Sequence, residues 1–133
     1  MTVIINPSTS AIQAIARVVT NQASTALPAA EFVKAVLSQL SLEDFELQSQ
    51  TDWSRILASM LQASHRRLPG VALVRVNQDS LSPEEGGSPR STLEIVSDDL
   101  PFLVDSFKMT LTALGITCHA IVHPVLSVQR NAE

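Results

Sequence analysis

The last third of the chain limits the fold most. A short strand, a helix and a long β-branched segment follow one another over Thr92–Gln129 with almost no loop between them. Along Thr92–Val96, Leu93 and Ile95 point one way and Glu94 the other. Leu100-Pro101 opens a helix on which Leu103, Phe107, Leu111 and Leu114 align, and Gly115 suits its C-terminal stop. Ile116–Gln129 then reads as a strand, in which Pro124 lacks a donor and marks an edge or a bulge. Two strands joined this tightly through a helix are expected to run parallel with a right-handed crossover. That is half of a β-α-β-β-α-β sandwich. The second helix is not in the sequence, which ends at Glu133, so the expectation is the front portion of a longer polypeptide with a gap in its sheet.

Upstream of Pro69-Gly70 the pattern is helical. Ile12, Ile15, Ala16 and Val19 share one face of a helix starting near Ser8 to Ser10. Pro28 opens a second helix with the stripe Val33, Val36, Leu37 and Leu40. Ser41 to Asp44 resembles a capping box that restarts a short helix through Leu47. The clearest period is Trp53, Ile56, Leu57, Met60 and Leu61, capped by Thr51 or Asp52. His65, Arg66 and Arg67 close that helix at the negative end of its dipole. Val71–Val76 reads as a mostly buried strand, expected to pair antiparallel with 91–97. Gln78 to Arg90 reads as a mobile surface loop.

Composition removes whole classes. With a net charge of −4 and a pI near 5.3, no nucleic-acid footprint is expected, and nothing basic clusters beyond Arg66-Arg67 to hold a membrane surface. No apolar run approaches the roughly 18 residues of a membrane span, and MTVIINPSTS is not a signal peptide. One cysteine, Cys118, excludes an internal disulfide and suits a reducing, cytoplasmic compartment. With 45% hydrophobic residues in 133, the chain has material for a core.

Few residues offer chemistry. There is no glycine fingerprint for a dinucleotide or a phosphate. His119 and His123 share a strand face but lie roughly 13 Å apart at about 3.3 Å per residue. A single metal ion does not bridge that distance without a bulge, so no metal site is assigned. Cys118 points to the opposite face and reads as a small core residue, and Trp53 as a core anchor. No base–nucleophile pair stands at workable spacing among His119, His123 and Asp105, which argues against a small stand-alone enzyme. The informative stretch is Asp98, Asp99, Leu100, Pro101, Phe102 and, one turn on, Asp105. Its plainest reading is local: acids complement the positive end of a helix, Pro101 fixes the first turn, and Phe102 and Leu103 enter the core. Its functional reading is a ligand corner, where free N–H groups hold a carboxylate and the acids hold an ammonium, as an amino acid requires.

Thr92 to Ser106, reading TLEIVSDDLPFLVDS, followed by His123-Pro124-Val125-Leu126 and a basic Arg130, resembles the N-terminal region of the large bacterial NAD-specific glutamate dehydrogenases. The resemblance implies an α+β fold in which a helical lead (1–68) packs on a partial ACT-like, ferredoxin-like β-α-β sheet unit (69–133). It implies a parent enzyme that deaminates L-glutamate oxidatively to 2-oxoglutarate and ammonia, with NAD bound outside this segment and no cofactor or catalytic residue within 1–133. It also implies a regulatory or assembly role, with the rest of the parent enzyme as partner. The unfilled sheet position separately predicts pairing with further copies of the chain, through a sheet edge or the apolar face around Val122 and Leu126. In ACT modules an effector, often an amino acid, binds near the first strand–helix loop, here Ser97 to Phe102 with Asp105. Asp99-Leu100-Pro101 stands where such loops usually carry a glycine, which keeps open a pure oligomerisation module without a ligand.

Overall fold

The computed structural model describes residues 6–22, 28–81 and 90–129. Four helices come first: α1 (Thr9–Gln22), α2 (Ala29–Leu37), α3 (Leu42–Glu46) and α4 (Gln50–Ser64). A hairpin of β1 (Leu73–Leu81) and β2 (Arg90–Val96) follows, then α5 (Leu103–Ala113). The fold is α+β, with one antiparallel two-stranded sheet among the described residues.

The expected stripes make the core. Ile15, Ala16 and Val19 of α1, Val33, Val36 and Leu37 of α2, then Leu40, Phe45, Trp53, Ile56, Leu57 and Leu61 are all buried in one cluster. Each fully buried side chain of this size contributes about 1.5–3 kcal/mol. Trp53 is the anchor. Its ring stacks on Phe45 with centroids 5.9 Å apart, and its indole N–H donates to the Phe45 carbonyl at 2.7 Å. Ser41 caps α3 by accepting from the Asp44 N–H at 3.0 Å. The cap of α4 is Ser49, not Thr51 or Asp52: its extended backbone lets the hydroxyl accept from the Asp52 N–H at 3.1 Å. Asp52 is itself buried inside the first turn, where its carboxylate accepts from Arg55 at 2.5 Å.

β1 and β2 pair antiparallel as expected, with Val74 opposite Ile95, Arg75 opposite Glu94 and Val76 opposite Leu93. Both strands run further into the supposed loop, to Leu81 and from Arg90; the rest of that loop, 82–89, lies outside the described residues. The sheet faces are the reverse of the expected ones. Val74 and Val76 are 59% and 61% exposed and Leu93 43%, whereas Glu94 is 6% exposed. The reason is α4: its Ser59 presents a hydroxyl and a carbonyl to the hairpin, and these bind the polar face, Arg75 and Asn77.

The helix after the acidic corner forms, but it starts at Leu103 and buries no residue. Phe102 stays out of the core at 79% exposure. Its C-terminal end is as expected: Gly115 takes a φ of 70° and donates to Thr112, while Ile116 donates to Leu111. The parallel third strand is not formed. Residues 116–129 carry no ladder hydrogen bonds, and Val122 packs against the helical core. A third strand alongside the hairpin requires α5 to cross over the sheet, and α5 does not lie on it. Cys118 is exposed rather than in the core, because the segment that carries it is itself on the surface.

Candidate functional site

The corner between β2 and α5 is built by three local features. Val96 ends the ladder, Ser97 donates its hydroxyl to the Asp98 carbonyl at 3.0 Å, and Phe102 turns the chain into α5 with a left-handed φ of 63°. No side chain caps α5 at Phe102, so its first-turn N–H groups remain available. The candidate residues Asp98, Asp99, Leu100, Pro101, Phe102 and Asp105 are all exposed around this helix start. The corner can therefore offer backbone donors to an anion and carboxylates to a cation at one place.

One partner of the corner was not visible in the sequence. Arg67, expected in the last turn of the Trp53 helix, lies three residues beyond the end of α4 at Ser64, and it makes an ion pair with Asp98, 31 residues away. Its other guanidinium nitrogen donates to the Val71 carbonyl at 3.3 Å. Asp98 is thus tied to the helical part, while Asp99 and Asp105 stand exposed. The Asp98 carboxylate is well solvated, so the pair contributes no more than about 1 kcal/mol.

A second polar group lies under the hairpin. Arg75 donates to one Glu94 oxygen through Nε at 3.1 Å and Nη2 at 2.6 Å, and to the Ser59 carbonyl at 2.7 Å and hydroxyl at 2.8 Å. Asn77 donates to the same hydroxyl at 3.1 Å. The other Glu94 oxygen, Oε1, is buried without a hydrogen-bond partner. The available signal was an oppositely charged pair in mid-strand positions of two otherwise apolar segments.

His119 and His123 are exposed, and among the described residues no group of three or more His, Cys, Asp or Glu could hold a metal ion. His119 and Cys118 line a broad open cleft of about 730 Å³, together with Asp44, Lys108 and Leu111. Among the described residues no helix is long and apolar enough to cross a membrane.

Residues 32–133 match the family described as glutamate dehydrogenase, ACT1 domain. The NAD-specific glutamate dehydrogenase of Pseudomonas aeruginosa is 30% identical over 102 residues, which cover 77% of this chain and 6% of that protein. That of Halomonas elongata is 35% identical over 65 residues, covering 49% of this chain and 4% of that protein. No solved structure matches the chain. The chain thus spans a small fraction of the length of the relatives it matches.

Proposed function

Because this chain belongs to the glutamate dehydrogenase ACT1 domain family, we propose that it is a non-catalytic regulatory and assembly module of a large NAD-dependent glutamate dehydrogenase. In this reading the parent deaminates glutamate oxidatively and binds NAD elsewhere. The residues here do not fit a dinucleotide: the strand-to-helix corner has no glycine to let a pyrophosphate approach the backbone. Within this reading we keep 1–68 as a lead and 69–133 as the module, while the family match itself begins at residue 32. A single exposed thiol, Cys118, supports a cytoplasmic setting.

The observation that carries a regulatory role is the uncapped start of α5 beside Asp99 and Asp105. An amino acid matches it, carboxylate to the N–H groups and ammonium to an aspartate. The test is thermal unfolding across the twenty amino acids. A true effector raises the stability by about 2.7 kcal/mol at a hundredfold excess over its Kd. Asp99→Ala removes most of that rise. A flat response across all twenty ends the effector reading.

A pure assembly module is the second reading, and exposed apolar side chains favour it. Val74, Val76, Leu114, Ile116, Val125 and Val128 are all exposed on the hairpin, the end of α5 and the segment after it. It predicts association that grows with protein concentration and ignores Asp99→Ala. Light scattering that finds a monomer at high concentration removes it.

A further inference from the structure

We infer that the cleft beside the C-terminal end of α5 binds a free α-amino acid with an aliphatic side chain, at a place separate from the corner before α5. The cleft has a volume of about 730 Å³ and is lined by residues of α3, of α5 and of the segment that follows α5. Lys108 and Leu111 line it from α5, one turn apart and therefore on one face of the helix. Ile116, His119 and Ile121 continue that lining, and Asp44 contributes from α3.

Three polar side chains line this space without pairing. Asp44, Lys108 and His119 are exposed, and none of them takes part in an ion pair among the described residues. The Asp44 carboxylate and the Lys108 ammonium thus share one cleft but do not meet. A molecule that carries both charges can bridge them. Its carboxylate accepts charge-assisted hydrogen bonds from Lys108 and the His119 ring, and its ammonium donates to Asp44. An ion of a single sign satisfies only one end of this arrangement. The C-terminal end of α5, the negative pole of its dipole, adds to the pull on the ammonium.

The apolar part of the lining selects the side chain. Leu111, Ile116 and Ile121 border the same cleft, and Ile116 is 53% exposed. An aliphatic side chain covers them and removes apolar surface from water. The backbone N–H groups of residues 117–121 join no ladder, so they stand ready as further donors to the carboxylate. The cleft is broad and open, and a small molecule in it keeps part of its surface in water. Its Kd is therefore expected to be on the order of millimolar.

The test is an NMR titration of the full chain with L-leucine, read at the backbone amides of Lys108 and of residues 116–121. Saturable shifts are expected there. Isocaproate, which is leucine without its ammonium, and isoamylamine, which is leucine without its carboxylate, should each bind about tenfold more weakly. Lys108→Gln and Asp44→Asn both fall on exposed side chains and are compatible with folding. Each should weaken leucine binding about tenfold. Asp99→Ala acts on the corner and should leave the shifts at 116–121 in place. Shifts confined to residues 98–105 and abolished by Asp99→Ala put the ligand at the corner and overturn the cleft. No saturable shift at 116–121, or a Kd indifferent to Lys108→Gln, overturns it as well.

Discussion

Position 94 shows what a single residue can reverse. In a strand that alternates apolar and polar, Glu94 belongs by pattern on the wet face. It is buried because Arg75 sits opposite it in the ladder and Ser59 of α4 accepts from the same guanidinium. Arg75→Met leaves a buried carboxylate without its cation and should cost about 3 kcal/mol in chemical denaturation. Adding Glu94→Leu should recover most of that loss, because the charge left behind is removed with it. Trp53 is the contrasting case, since its helical spacing alone indicated a core position. Trp53→Ala is expected to cost about 3–5 kcal/mol. Trp53→Phe keeps most of the packing but removes the indole donor and leaves the Phe45 carbonyl only the Gln48 N–H at 3.4 Å, at about 1 kcal/mol.

At the scale of elements, the helix ends test the local rules. Ser49→Ala removes the α4 cap and should lower stability by about 1 kcal/mol, whereas Thr51→Ala, inside the helix and exposed, should have little effect. Gly115→Ala meets no atom within 4 Å, so its cost, about 1–2 kcal/mol, is backbone strain at positive φ and not a clash. Both are read as shifts in the denaturation midpoint. The elements were largely legible because caps, stops and periods are local signals. Ser8, Ser41 and Gly115 each mark an end within a residue or two of the observed one, whereas α4 stops at Ser64, five residues before Pro69. Ser49, Thr51 and Asp52 stand in one polar run, and only the extended backbone at Ser49 singles it out as the cap. The start of α5 moved because Pro101 precedes a left-handed Phe102, and no side-chain pattern announces that conformation.

For the whole molecule, stability is concentrated in one half. Buried apolar contacts join α1, α2, α3 and α4, while α5 buries none. Hydrogen exchange should therefore show the amides of α4 outlasting those of α5 by orders of magnitude. Equal protection of the two helices would mean that α5 belongs to the same cooperative unit. The exposed corner of Asp98 to Phe102 and Asp105 was found in the sequence because acids, proline and a helix start lie next to one another. Its Arg67 partner was not found, since a contact across 31 residues leaves no local trace. By itself the sequence determined the helices, their apolar stripes, the antiparallel hairpin and the family, because each rests on neighbours along the chain. Only the tertiary structure decided which face of the hairpin meets α4, that residues 116–129 join no ladder, and that α5 stands off the sheet. Those outcomes depend on which surfaces find a partner in space, and alternation of side chains is the same whichever face is covered.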